Sequence, residues 1–212
     1  MLQQNIFLIL ADVNSNNMKT NKKLTLLVLV FVTSFCHSYA QENGKKDIPV
    51  RFLVKGALEM GGDEVAEVYF TNGETQSVKA GQGASIAIGG EFQMPRVEKL
   101  LFHATVGFKY VTTQADNAHI RLTRVPIQLT ANWMATKKLR LGAGFATHQA
   151  IRFKADGIMQ DITFEGASGP TFEVAYTGIG LTYTAITYKD QYKQSYSANA
   201  IGLSFTLAIP KK

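Results

Sequence analysis

The feature that most constrains this chain is an alternation of apolar and polar residues that recurs in eight segments after residue 47. A period of two is typical of a β-strand whose two faces meet different surroundings. The repetition predicts an all-β fold with eight antiparallel strands. The segments cover residues 48–60, 84–94, 100–112, 118–134, 139–148, 171–176, 179–186 and 197–209.

The polar faces of these segments are too small for a surface exposed to water. Glycine recurs on them, alternating with Ser, Thr and Ala, at positions 89, 107, 142, 144, 180 and 202. Small residues suit the crowded interior of a narrow barrel, and the large apolar and aromatic residues of the opposite faces suit lipid. A soluble barrel of the lipocalin type is the alternative, and it would have its apolar face inside. The pattern favours the transmembrane barrel.

The connections between the segments alternate in length. Those at 95–99, 135–138 and 177–178 are short, whereas most of the others, at 61–83, 149–169 and 188–196, are longer. Short periplasmic turns that alternate with longer outer loops are typical of outer-membrane barrels. Asn72-Gly73 is a two-residue turn signal, so the first long loop is predicted to be a β-hairpin.

The segment 118–134 changes phase near its middle. Ile120 and Leu122 share one parity, whereas Ile127 and Leu129 share the other. A one-residue phase change is what a β-bulge produces, and proline cannot donate to a ladder. We therefore predict a bulge in this segment at 124–126, around Pro126.

The N-terminal region carries the three parts of a secretory signal peptide. Residues 18–40 contain a basic start, an apolar run from Leu24 to Val32, and the small-x-small site Ser38-Tyr39-Ala40. We interpret 1–17 as an upstream start artefact, 18–40 as the cleaved signal, 41–47 as a flexible lead and 48–212 as the barrel domain. The single cysteine, Cys36, lies in the signal, so the mature chain has no disulfide or thiolate site. The expected location is the bacterial outer membrane.

Two stretches resemble the small bacterial outer-membrane β-barrel family. The first joins the proline-led run Val125-Pro126-Ile127, a short turn at 134–138 and the glycine-rich strand 139–145; the second is the closing strand 200–205. The chain departs from the family where it ends on Ile209-Pro210-Lys211-Lys212, since such chains often end on an aromatic residue. The resemblance implies a barrel inserted by the barrel-assembly machinery, in contact with outer-membrane lipid and lipopolysaccharide.

Charged and histidine residues fall on the predicted inner faces. Because an unpaired charge in a narrow lumen is costly, we expect them to form a paired network that plugs the barrel; a polar pathway or gate is the alternative. On the same face, Ser204 is a small residue whose change to alanine should be mild. The predicted network contains Arg51, Lys55, Glu59, Glu91, His103, Lys109, Arg140, His148 and Glu173.

Motifs for catalysis and for nucleic-acid binding are weak in this sequence. His148 with Glu173 as a neighbour would suit acyl transfer beside a serine, and lipid A deacylase barrels carry His-x-Ser, but here His148 is followed by Gln149-Ala150. We expect no enzyme activity, cofactor or metal. The formal net charge is +6 with scattered basic residues, which argues against a nucleic-acid partner.

Aromatic residues in the outer loops are the remaining candidates for function. They either belong to the aromatic girdle at the membrane interface or form an external binding surface. We expect a monomer with a structural or loop-mediated binding role and an unidentified extracellular partner. A small-solute channel or transporter is the alternative, and a lipid-modifying enzyme is less favoured. The candidate binding residues are Tyr69, Phe70, Phe153, Phe164 and Tyr192.

Overall fold

The computed structural model describes residues 50–69, 75–115, 118–156 and 161–210. The predicted start artefact, signal and lead, at 1–47, lie outside these residues, as do Phe70 and the predicted Asn72-Gly73 turn. The described residues form thirteen strands: β1 (Val50–Met60), β2 (Glu64–Tyr69), β3 (Thr75–Lys79), β4 (Gly83–Gln93), β5 (Leu100–Ala115), β6 (Ala118–Met134), β7 (Leu139–Asp156), β8 (Ile162–Thr163), β9 (Ala167–Tyr176), β10 (Ile179–Thr184), β11 (Thr187–Lys189), β12 (Ser195–Ser197) and β13 (Ala200–Ile209).

Eight of these strands close into a ring, which confirms the predicted strand number and the antiparallel arrangement. The order is β6-β5-β4-β1-β13-β10-β9-β7, and the β6–β7 pairing closes the sheet on itself. Each barrel strand pairs with the next in the chain, and β13 pairs back onto β1. Among the described residues, no helix is long and apolar enough to cross a membrane.

The stagger of the ring follows from its pairings. A path that follows the paired residues once around the ring from Val50 returns to β1 at Met60, ten residues further along the strand. The path passes through Phe92, Phe102, Ala131, Ala143, Phe172, Tyr183 and Ile201. In a closed sheet this shear sets the strand tilt, which is typically about 35–45°. An eight-stranded ring leaves an interior that side chains can fill.

The lower part of the ring, near the short turns, has a polar inside and an apolar outside. On β5, His103, Thr105 and Lys109 are buried, whereas Phe102 and Val106 point outward and are exposed. The same alternation continues around the ring and leaves a belt of large apolar side chains on the outer surface. Its members include Phe52, Leu58, Ile86, Ile88, Phe108, Ile127, Leu129, Leu141, Phe145, Phe172, Val174, Leu181, Leu203, Phe205 and Leu207.

The upper part has the opposite chemistry. There β5, β6 and β7 continue beyond the belt. The inward side chains of β6 and β7 are mostly apolar and buried, whereas β5 contributes the half-buried Val111 and the buried Thr113. These side chains pack with others from the loops into a single core, which we call the cap. The cap comprises Val78, Ala80, Ile120, Leu122, Ala146, Ile151, Phe153, Ala155, Phe164, Ile186, Tyr188 and Ala198.

Two hairpins contribute to the cap. Strands β2 and β3 pair antiparallel, so the hairpin predicted in the first long loop is confirmed by its strands. Strands β11 and β12 form a second hairpin, and Tyr188 on β11 is fully buried. The described residues at this end of the ring thus form a packed structure.

The register shift predicted near 124–126 occurs, but its extra residue lies in β7 and not in β6. On β6 the inward parity is unbroken, because Leu122, Arg124 and Pro126 all face inside. The register shift between β6 and β7 instead leaves an extra residue in β7 at 149–151, where Ala150 has φ 50. The phase change in the sequence of β6 has another cause: its inner face passes from the cap to the polar lumen.

Glycine allows the closest approaches between barrel strands. A Cβ on Gly89 would clash with the carbonyl oxygen of Ala104, and one on Gly144 with that of Leu129. In each case the clash is with backbone, so it could be relieved only by moving a strand. The glycine alternation therefore reflects both the narrow lumen and close strand packing.

Candidate functional site: the filled lumen and its cap

The lowest layer of the lumen is centred on Glu91. Arg51 donates through Nε to Glu91 Oε1 at 2.8 Å, and its Nη2 contacts the same oxygen. His103 Nε2 lies 3.0 Å from the other carboxylate oxygen. These positions follow from the ladders, since Glu91 pairs with Arg51 on β1 and with His103 on β5. Three inward side chains on neighbouring strands are thereby joined.

The middle layer is centred on Glu173. Arg140 Nη2 donates to Glu173 Oε2 at 2.9 Å, and Lys55 Nζ lies 3.2 Å from Oε1. Ser204 Oγ donates to the same oxygen at 2.5 Å. The predicted joining of inner-face cations to Glu91 and Glu173 is therefore observed. The hydroxyl of Ser204 is therefore part of the network, and the effect of Ser204→Ala stays a prediction.

The upper layer pairs Lys109 with Glu59. Lys109 Nζ lies 2.7 Å from Glu59 Oε2 and donates to the carbonyl oxygen of Gly81 at 2.7 Å. Gly81 belongs to the segment between β3 and β4, which returns from the first hairpin. The buried ammonium therefore joins the lumen network to the cap.

Arg124 is the main residue that the sequence interpretation missed. It is fully buried, and its guanidinium donates to the carbonyl oxygens of Ala80 and Gln82. Its Cζ also lies 5.9 Å from the centre of the Tyr188 ring. Arg124 and Lys109 thus hold three successive carbonyls, and we call this arrangement the latch. Arg124 has the same parity as Pro126, and this was the sequence signal that it faces inward. The bulge predicted at 124–126 made that parity appear broken.

His148 does not contact Glu173, so that predicted neighbour is wrong. Glu173 pairs with Gly142, six positions down β7, whereas His148 pairs with Ala167. The imidazole Nδ1 instead lies 2.5 Å from the Tyr188 hydroxyl. Burial raises the pKa of Tyr188 to about 12, so the hydroxyl stays protonated and can donate to this nitrogen.

The five candidate binding residues separate into three groups. Phe153 and Phe164 are buried in the cap, with exposed fractions of 0% and 5%, so they cannot form an external surface. Their interpretation as binding residues is wrong because their apolar rings pack against Tyr188 and its neighbours. Tyr192 is 66% exposed. Phe70 and the side chain of Tyr69 lie outside the described part.

In the described part of the lumen, free space lies in the middle and at the lower end. A cavity of about 20 Å³, lined by Lys55, Gln128 and His148 among others, lies in its middle and has room for about one water molecule. At the short-turn end the lumen opens into a vestibule of about 420 Å³, lined by Arg51, Glu91, Leu101, Met134, Lys137, Lys138, Arg140, Ala175, Thr177, Gly178, Thr206, Leu207 and Ala208. No group of three His, Cys, Asp or Glu side chains suited to a metal ion occurs among the described residues.

The fold and the lumen define a class: an all-β, antiparallel, closed eight-stranded ring with a charged interior and an apolar exterior. No protein-family model and no curated protein matches the chain. Several solved structures are similar to it, and two of them are outer-membrane or surface proteins. Neisserial surface protein A has a TM-score of 0.42 and 12% identity, over 75% of this chain and 96% of that one. The outer membrane protein AlkL, solved in DMPC lipid bilayers, has a TM-score of 0.36 and 9% identity, over 82% and 97%.

Proposed function

We propose that this protein is a transmembrane β-barrel of the bacterial outer membrane with a closed lumen and a structural or cap-mediated binding role. The observation that carries the proposal is the inversion between the belt and the cap. Large apolar side chains cover the outside of the lower ring and the inside of the upper part. A soluble protein has no reason to expose such a belt, whereas lipid stabilises it.

The dimensions of the belt support this location. On β5 the outward apolar side chains extend from Phe102 to Phe108, with Tyr110 next in the same row. The eight steps from Phe102 to Tyr110, which rise ~3.3 Å each on a strand tilted by ~40°, span about 20 Å along the barrel axis. The apolar band of outer-membrane barrels is about 25 Å tall. In this orientation the short turns face the periplasm and the cap faces outward.

The filled lumen favours a structural or binding role over transport. Its carboxylates at Glu59, Glu91 and Glu173 are each paired with a cation, and the cap closes the outer mouth. We infer a monomer that is inserted by the assembly machinery and contacts outer-membrane lipid and lipopolysaccharide. The exposed surface of the cap would meet any extracellular partner. No catalytic role is proposed.

A small-solute channel remains the second candidate because the vestibule and the central cavity share wall elements in β1. Conduction would require the latch between Arg124, Lys109 and the 80–82 carbonyls to open. The two candidates therefore differ in whether the intact barrel conducts.

Two experiments test the proposal. The full chain should fractionate with outer membranes and migrate faster on a gel before boiling than after, as a stable barrel does. Purified protein in planar bilayers should show no large, stable conductance. Recovery of the chain in the soluble fraction would contradict the membrane location, and steady conductance would favour the channel.

A further inference from the structure

Two surface features meet at the short-turn rim of the barrel. Inside the rim is the vestibule, whose described lining contains the cationic side chains of Arg51, Lys137, Lys138 and Arg140 and one carboxylate, that of Glu91. Outside it is a groove of about 280 Å³ lined by Val54, Gly56, Thr177, Gly178, Ile179, Phe205, Thr206 and Leu207. We call this outer feature the rim groove.

The vestibule and the rim groove share a wall. Thr177, Gly178, Thr206 and Leu207 line both, because the turn between β9 and β10 is only two residues long. Gly178 adopts φ 90 and accepts a hydrogen bond from the amide of Thr206 at 2.7 Å. A molecule at this rim can therefore contact the cationic inside and the apolar outside at once.

Among the described residues, the positive charge of the vestibule is incompletely balanced. Glu91 contacts Arg51 and His103, and Glu173 is shared between Lys55 and Arg140. Lys137 and Lys138 add two exposed cations at the mouth. Arg140 is more than nine-tenths buried, and its Nε has no hydrogen-bond partner among the described residues. Arg140 lines the vestibule, and its positive charge adds there to those of Lys137 and Lys138, which favours an anionic group at the mouth.

The rim groove is shaped to receive a hydrocarbon chain. Its outward side chains Val54, Ile179, Phe205 and Leu207 are apolar, and the last three belong to the exposed surface of the belt. Gly56 leaves the space between them open, and a Cβ there would meet only the Ser85 carbonyl oxygen at 3.8 Å. The groove is therefore a gap in the belt rather than a tight strand contact.

We propose that the rim binds one anionic phospholipid, with its phosphate headgroup at the mouth of the vestibule and an acyl chain in the rim groove. This inference rests on the membrane location proposed above. Neither feature alone would select such a ligand, because a free anion needs no groove and a neutral lipid needs no cations. Their shared wall selects a molecule that carries both chemistries, and basic residues near a membrane surface attract anionic lipid.

The test compares lipid binding to the purified full-length barrel by native mass spectrometry. The probes are palmitoyl-oleoyl phosphatidylglycerol and the zwitterionic phosphatidylcholine with the same chains. The unsubstituted protein should retain one phosphatidylglycerol in preference to phosphatidylcholine, by roughly five- to twentyfold given the basic residues at the mouth. Equal retention of the two lipids would overturn the proposal.

Two variants and two matched controls separate the headgroup from the chain. Lys137→Ser with Lys138→Ser removes the exposed charges, and Gly56→Leu fills the rim groove; each should reduce the preference to below about twofold. Lys99→Ser, at another short turn, and Ala104→Leu, elsewhere on the outer face, should leave it unchanged. A loss with the lysine changes but not with Gly56→Leu, together with displacement by excess glycerol phosphate, would identify a soluble-anion site and overturn the lipid assignment.

The same samples distinguish failure of this inference from failure of the proposed function. Each variant is first checked for faster migration before boiling and for resistance to extraction from vesicles by urea. A protein that does not enter vesicles contradicts the membrane location itself. A protein that enters vesicles but shows no lipid preference contradicts only the rim site.

Discussion

Pro126 lies opposite His148 in the β6–β7 ladder, and both residues face the inside of the barrel at the level where its chemistry changes. Below them on β6 the inward residues include Thr130 and Asn132; above them is the cap residue Leu122. At about the same level, the outer surface changes from apolar below to polar above. In the orientation proposed above, this level would be the upper membrane boundary.

The belt can be tested with a charge placed on its outer face. Leu203→Arg should hinder assembly, because an arginine facing lipid near mid-bilayer costs about 2–4 kcal/mol. Ser168→Arg, an outward position near the top of β9, should have little effect, since the cost falls towards the interface. Folding yield into vesicles and heat-modifiable migration measure both. Equal behaviour of the two variants would contradict the assigned boundary.

Removing Glu173 should destabilise the middle layer. Glu173→Leu leaves Lys55 and Arg140 without their carboxylate, and breaking a buried pair typically costs about 3–5 kcal/mol. Adding Arg140→Met should recover part of this loss, because one stranded charge is then removed. Urea unfolding of the single and double variants in vesicles measures the coupling. Additive losses would mean that the two charges are independently hydrated.

Ser204→Ala should cost more than the sequence pattern implies. The hydroxyl is fully buried and donates to Glu173, and the loss of a hydrogen bond to a charged group costs about 1.5–3 kcal/mol. Ser168→Ala on the exposed face of β9 is the control and should be close to neutral. The measurement is the free energy of unfolding of the two variants. A neutral Ser204→Ala would show that the hydroxyl is dispensable.

Arg124 should control how firmly the 80–82 segment is held. Arg124→Lys keeps the charge but lacks the planar fork that reaches two carbonyls, so the cap should loosen. Amide hydrogen exchange should then rise at Ala80, whose N–H bonds to the Asp63 carbonyl at 2.8 Å. Arg152→Lys, on the exposed side of β7, should leave this exchange unchanged. Unaltered protection in Arg124→Lys would show that the latch does not hold the segment.

Phe153 and Tyr192 distinguish a packed cap from a binding surface. Phe153→Ala leaves a cavity in the cap and should cost about 3–5 kcal/mol. Tyr192→Ala removes an exposed ring and should change stability by less than about 0.5 kcal/mol. Thermal or urea unfolding of the two variants gives the comparison. Near-equal stabilities would contradict the packing of the cap.

Local periodicity identified most of the barrel because it reports on two faces of each strand. The range 118–134 for β6 was predicted correctly, and so were the inward parity of Arg51, Glu91 and Glu173 and the hairpin strands of the first loop. Strand β7 instead continues to Asp156 beyond the predicted end at 148. Its upper residues alternate too, but a bulge shifts their parity.

The sequence by itself determined the number of strands in the ring, the polar side of the lower part of each strand, and the alternation of short turns and longer loops. These features depend on neighbours along the chain. Only the tertiary structure decided which charges pair, where the bulge lies and what surrounds an apolar face. Ile120 and Ile127 are both isoleucines of β6, yet the first packs in the cap and the second faces outward. Apolar side chains are stabilised equally by a protein core or by lipid, so only the folded surroundings distinguish the two.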